Sequence, residues 1–223
     1  MKVIAINGSP HGRKGTTSKV VNSILEGVEN DGAETVSFFL SDLTVKPCKG
    51  CEVCAKTGTC VIDDDYSMIK QAVIEADGII LASPNYVGNV CAQLKAFIDR
   101  SQNLIHCQMM KGTYGAAVVT SGGIYGERVE EYLRFVLSLL GCWTIGSLSI
   151  YIPQLDDEDE GAQIRQSATD IGSRMVKAIS SKEKFPDQEA DLEEKFEMFK
   201  GFVQMFEDRW PFKYEYWKTH RGA

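Results

Sequence analysis

The chain has 223 residues, 43% hydrophobic and 25% charged, which suits a soluble globule of one α/β domain plus an extension, with enough chain for a real core. Its net charge of −7 argues against nucleic-acid binding, which needs clustered lysine and arginine. No apolar run approaches the ~20 residues of a membrane span, and the N-terminus is too short and strand-like for a signal peptide; a cytoplasmic protein away from membranes is expected.

Residues 2–7 read as a first strand, apolar on both faces as in the middle of a parallel sheet. The strand breaks into Asn7-Gly8-Ser9-Pro10-His11-Gly12-Arg13-Lys14-Gly15-Thr16-Thr17, a loop of glycines and hydroxyls. A helix over 18–29 follows, with Val20, Val21, Ile24, Leu25 and Val28 at helical spacing, and stops at Asn30-Asp31-Gly32. Residues 35–40 form a second strand. The polar loop 46–63 carries four cysteines and leads into Asp63-Asp64-Asp65, placed to cap a helix over 66–76.

A third strand over 78–83 feeds the loop 84–89 and a helix over 92–104. A fourth strand over 114–120 feeds the loop 121–126 and a helix over 127–140, closed by Gly141. A fifth strand over 142–152, an acidic solvated turn over 156–160 and a helix over 162–180 complete the core. Five strands alternating with five helices specify a doubly wound parallel sheet with helices on both faces, and the flavodoxin-like order 2-1-3-4-5 fits. Its ligand crevice lies at the carboxyl ends of strands one and three.

The core domain is therefore residues 1–181, and 182–223 a helical extension. After a linker over 181–187, a helix over 188–209 carries an apolar stripe that includes Phe196, Phe199, Val203 and Phe206, followed by Trp210 and Trp217. Such a stripe has to pack on the core or on a partner subunit, as an oligomerisation arm would.

The loop after strand one is not a nucleoside-triphosphate P-loop, because Lys14 is followed by Gly15, and its glycine intervals do not fit the dinucleotide fingerprint. It reads as a hydroxyl cradle. Ser9, Thr16 and Thr17, with the amides from Gly15 to Thr17 at a helix N-terminus, suit the phosphate monoester of a flavin, and His11 lies in the same loop. The ring needs backbone amides and carbonyls at its polar edge and a flat surface at its face. Pro84, Asn85, Tyr86, Val87, Gly88 and Asn89 offer these from one side, and Thr120, Ser121, Gly122, Gly123 and Tyr125 from the other. Neither His106 nor His220 has a nucleophile constellation around it, so no catalytic side chain is assigned.

Asn7-Gly8-Ser9-Pro10 with Gly15-Thr16-Thr17, Pro84-x-Tyr86 with Leu94-Lys95-x-Phe97-Ile98-Asp99-Arg100, and Thr120-Ser121-Gly122-Gly123 resemble the NADPH-dependent FMN reductase family over residues 1 to about 180. The resemblance implies bound FMN, NAD(P)H as a donor and a homodimer or homotetramer. Cys48-x2-Cys51-x2-Cys54-x5-Cys60 is similar to the compact motif of the iron–sulfur flavoproteins within that family. That spacing suits a small loop wrapping a [4Fe–4S] cluster, whereas structural zinc usually takes two pairs separated by a longer arm; zinc and no metal remain the alternatives. Cys91, Cys107 and Cys142 read as small core residues. The function implied is an FMN-dependent oxidoreductase passing electrons from ferredoxin or NAD(P)H to a small acceptor. Two alternatives are a cluster-free NAD(P)H-dependent FMN or quinone reductase and a non-enzymatic binding module.

Overall fold

Val3, Ile4, Ala5 and Ile6 are all fully buried, so the first strand is covered on both faces and must sit inside the sheet. In the computed structural model, which describes residues 1–222, this strand is β1 (Lys2–Asn7), and α1 (Thr16–Asn30) returns the chain to β2 (Glu34–Phe39). The short α2 (Val53–Thr57) and then α3 (Tyr66–Ile74) precede β3 (Gly78–Tyr86), which folds back on β4 (Asn89–Val90). Next come α4 (Ala92–Arg100), α5 (Gln102–His106), β5 (Tyr114–Ser121), α6 (Gly126–Leu140) and β6 (Trp143–Tyr151). The chain ends in α7 (Ile152–Asp156), α8 (Glu158–Ser181), α9 (Pro186–Met205) and α10 (Pro211–His220).

The five long strands are parallel in the order β2-β1-β3-β5-β6, with β4 attached antiparallel to β3. Discounting β4, this is the expected flavodoxin-like order. Alternate side chains feed two cores. Ile4, Ile6, Ile79, Leu81, Ala117 and Val119 face α3, α4 and α6. Val3, Ala5, Ile80, Ala82, Ala116 and Val118 face α1 and α8. The helices on this second face touch backbone to backbone. A Cβ at Gly172 would stand 2.0 Å from the Ile24 carbonyl oxygen, and one at Gly27 2.1 Å from that of Thr169.

Three local expectations change. The helix expected over 92–104 is two helices, because the Ser101 hydroxyl donates back to the Phe97 carbonyl at 2.9 Å and α4 ends there. The acidic stretch 156–160 is not a turn. The Asp157 carboxylate accepts the Asp159 and Glu160 amides at 3.0 and 2.9 Å, so it caps α8, which starts four residues earlier than expected. The run Asp63-Asp64-Asp65 caps α3 only through Asp64, whose Oδ1 accepts the Tyr66 amide at 3.2 Å while its Oδ2 ties down the cysteine loop at Lys46; the Asp65 carboxylate accepts the Thr44 amide at 2.7 Å.

The extension folds back on its own chain. Phe199, Val203 and Trp217 are buried together against Ile105, Leu139, Phe196 and Tyr214. Among the described residues no helix is long and apolar enough to cross a membrane.

Candidate functional site

The loop leaving β1 is shaped by a chain of buried hydrogen bonds. The Asn7 carboxamide accepts the Ser9 amide and donates to the Ser18 hydroxyl, both at 2.9 Å, and Ser18 donates to the Gly12 carbonyl at 2.5 Å. Ser9 is buried, and its Oγ accepts the His11 amide at 3.3 Å. The buried Thr17 hydroxyl lies 2.7 Å from that of Thr120, which pins the first turn of α1 to the end of β5. Gly15 is the N-cap and contributes no side-chain bond, so the Thr16 and Thr17 amides are left without partners among the described residues. A Cβ at Gly15 would meet Ser9 Oγ at 2.7 Å and fill the cradle. Ser9, Gly15, Thr16, Thr17 and Thr120 thus converge at one helix N-terminus, while the His11 side chain is exposed.

The segment 84–89 is a hairpin rather than an open loop. Val87 and Gly88 turn it with φ of 55° and 71°, the primed geometry of a two-residue hairpin. Across from it Tyr125, also left-handed with φ 72°, starts α6. Together they border a cleft of ≈ 570 Å³, which Asn85, Ser121, Gly122 and Gly123 also line. Cβ atoms at Gly122 or Gly123 would meet nothing within 4 Å, so this strip of backbone is open to a ligand. Two non-glycine residues strained around one cleft mark a place where geometry is held for a purpose.

Asn85 differs from expectation. Its amide donates to Ser121 Oγ at 3.0 Å and to the Ile124 carbonyl at 2.8 Å, while its oxygen accepts the Gly88 amide at 2.9 Å. Its bonding capacity goes to tying the hairpin to the loop after β5. Pro84, Tyr86 and Asn89 do not line the cleft, whereas Ile124 and Arg128, which the sequence reading did not single out, do. Arg128 stands in the first turn of α6, one turn beyond the loop, a position that helical spacing alone would have brought to the same opening.

Cys48, Cys51, Cys54 and Cys60 all line one pocket of ≈ 190 Å³, floored by Asp99, Arg100 and Gln102. Gly50 (φ 64°) turns the chain so that its amide points at Cys48 Sγ, 3.4 Å away. Among the described residues no three Cys, His, Asp or Glu side chains are drawn into metal-ligating geometry; the thiols share the pocket without converging on a point. Asp64 anchors the loop. Its buried carboxylate pairs with Arg100 at 2.5 Å and accepts the Lys46 amide at 2.8 Å. Burial would raise this carboxyl, but the Arg100 and backbone bonds outweigh it and hold it below the usual carboxylate range. Cys91, Cys107 and Cys142 are buried as expected, and burial pushes the Cys107 and Cys142 thiols up to about 12.

The profile of the NADPH-dependent FMN reductase family matches residues 1–157. The chain belongs to this family. It is 33% identical over 222 residues to an iron–sulfur flavoprotein of Archaeoglobus fulgidus, covering 98% of both chains. An iron–sulfur flavoprotein of Methanosarcina thermophila is 43% identical over 153 residues, covering 67% of this chain and 79% of that one. Among solved structures, a flavone reductase superposes with a TM-score of 0.65 at 16% identity, over 81% of this chain and 63% of that one, a likeness of fold. The chain is a flavoprotein oxidoreductase of the FMN reductase family, homologous to iron–sulfur flavoproteins.

Proposed function

We propose that the chain is an iron–sulfur flavoprotein, with FMN at the carboxyl edge of the sheet and a [4Fe–4S] cluster on Cys48, Cys51, Cys54 and Cys60. The observation that carries this reading is that four cysteines spread over thirteen residues line a single pocket, in a chain that matches an iron–sulfur flavoprotein along its length. Four thiols with a backbone amide aimed at one of them are the donor set such a cluster takes.

The chain's own residues bind and orient. The free Thr16 and Thr17 amides, with the Ser9 and Thr17 hydroxyls, receive the phosphate. The backbone of Val87, Gly88, Gly122 and Gly123 and the Tyr125 side chain would hold the flavin ring in the cleft they line, and Arg128 would add a positive charge there. When bound, flavin supplies two-electron chemistry with a donor such as NAD(P)H, and the cluster passes electrons singly. Ferredoxin is the other donor we consider, and the acceptor is a small molecule. The setting is the cytoplasm.

The cleft and the cysteine pocket have no lining residue in common. They are separated by α4, which begins beside Cys91 at the cradle and ends at Arg100 in the cysteine pocket, a run of 9 residues or about 13 Å. This separation favours a homodimer or homotetramer in which the cysteine pocket of one copy serves the flavin edge of the next.

The second reading, a cluster-free NAD(P)H-dependent reductase, is favoured by the thiols' lack of ligating geometry. A spectrum of anaerobically purified protein, with iron and acid-labile sulfide analysis, separates the two. A broad shoulder near ~400 nm with both elements present supports the cluster. Flavin bands with no iron would refute it and leave the plain reductase.

A further inference from the structure

The C-terminal extension buries a positive charge that forms no ion pair among the described residues, the carboxylate that acts on it being Glu52, already held by Arg209. Lys213 is 0% exposed. Its Nζ lies 2.9 Å from His106 Nδ1 and 4.1 Å from the centre of the Trp210 ring, and among the described residues no carboxylate forms an ion pair with it. An ammonium group taken out of water without an anion is strongly unfavourable. The amine is held down to about 8, first by burial, but at neutral pH it still carries its proton. Helix α10, which carries Lys213, packs on α2, which carries Cys54.

The surroundings of the cysteine pocket repeat the pattern. Arg100 is buried, and its Nε–H has no hydrogen-bond partner although its other nitrogens do. The guanidinium lies beside Cys60 and lines the pocket. Lys70 donates to the Gly58 carbonyl at 2.9 Å, two residues before Cys60. Three cations thus stand at or near the cysteine loop in a protein of net charge −7, and of the two carboxylates that face them Asp64 is taken by Arg100 and Glu52 by Arg209.

The extension is fastened where it can deliver this charge. Arg209 grips Glu52, between Cys51 and Cys54, through two bonds of 2.7 Å, and the Trp210 indole N–H reaches the same carboxylate at 3.5 Å. The Phe212 ring lies on Gly58 so closely that a Cβ there would meet it at 2.5 Å. All of these extension residues lie beyond the 1–157 match to the family.

We propose that Lys213 is a counter-charge for an anionic centre on the four cysteines, delivered by the C-terminal extension and raising the reduction potential of that centre. The inference rests on the iron–sulfur reading above. Adding an electron to a thiolate-ligated cluster adds negative charge, and a fixed cation in a low-dielectric setting favours the more negative state. A side chain serving only to pack the extension, or to hold His106, would leave the potential unmoved.

The test uses full-length chain reconstituted anaerobically with iron and sulfide, as wild type, Lys213→Met and Lys213→Arg. Iron and sulfide content is measured first, then the midpoint potential by an EPR-monitored titration. We expect Lys213→Met to load the cluster and its one-electron reduction equilibrium to fall about tenfold, about 59 mV, with Lys213→Arg close to wild type. Lys70→Met, on the other side of the pocket, is expected to shift in the same direction and serves if Lys213→Met does not fold. Equal potentials in wild type and both Met variants overturn the assignment while the iron–sulfur reading stands. So does an equal shift in the Met and Arg variants. A wild-type chain that takes up no iron or sulfide overturns the iron–sulfur reading itself, and is recognised before any potential is measured.

Discussion

Acid should loosen the C-terminal extension through His106. This ring is stacked on Phe199 and tilted against Trp210, each at 5.3 Å, and accepts the Lys213 ammonium on Nδ1. Burial first, and the Lys213 charge second, hold its pKa down to about 4 from 6.5. A base whose folded pKa is depressed contributes stability that is present above its unfolded pKa and lost as pH falls toward the folded one. The window therefore runs from 6.5 down to about 4. A difference of about 2.5 units amounts to at most about 3 kcal/mol, most of it gone by about pH 4.5. Urea unfolding followed by tryptophan fluorescence, at about pH 7 and about pH 4.5, measures the loss in wild type and in His106→Gln. Gln keeps an acceptor for Lys213 but does not titrate, so it should lose about 2–3 kcal/mol less than wild type over that interval. Carboxylates protonate alike in both proteins and cancel. Equal losses would refute the reasoning.

Gly172→Ala should lower the unfolding free energy by more than ~3 kcal/mol in the same urea assay, because its methyl would meet the Ile24 carbonyl oxygen at 2.0 Å and neither backbone can retreat; a loss below ~1 kcal/mol would show that the two helices can slide apart. Val87→Gly should stabilise by about 1 kcal/mol, since a fully exposed β-branched residue at φ 55° gains nothing from packing; an unchanged denaturation midpoint counts against strain there. Thr17→Val removes the 2.7 Å bond to Thr120 and a donor from the cradle, and FMN affinity, read by flavin fluorescence quenching, should fall at least tenfold, about 1.4 kcal/mol. Gly58→Ala should push Phe212 off the cysteine loop, and the loop should become sensitive to limited proteolysis; protection equal to wild type would argue against that contact.

What was legible in the sequence followed local period and turn chemistry. Val3 to Ile6 read as a strand covered on both faces because each residue is apolar, and the order of the sheet follows from alternating strands and helices. The cradle was legible because glycine and hydroxyls fall between a strand and a helix. The departures come from polar side chains whose partners the local pattern does not show, some distant in sequence and one a turn away. Asp64 reads as a helix cap and does accept the Tyr66 amide, but its other oxygen is taken by Arg100, 36 residues on. Asn85 reads as a residue of the ring site and does line the cleft, while its amide is taken by Ile124, 39 residues on. Ser101 sits unnoticed in an apolar helical pattern until its hydroxyl turns back on Phe97. Lys213 follows Trp210 in an aromatic stretch, and nothing local tells a buried ammonium from a solvated one.

The grip of Arg209 on Glu52 spans 157 residues of chain, and this has a consequence for the order in which the protein is made. The cysteine loop emerges from the ribosome long before the segment that fastens it. At ~5–20 residues per second the intervening chain takes on the order of 10 s to synthesise. During that interval the loop lacks its tie to Arg209 and the packing of Phe212 on Gly58. The Arg209–Glu52 pair then fastens the loop only after all four cysteines have been made.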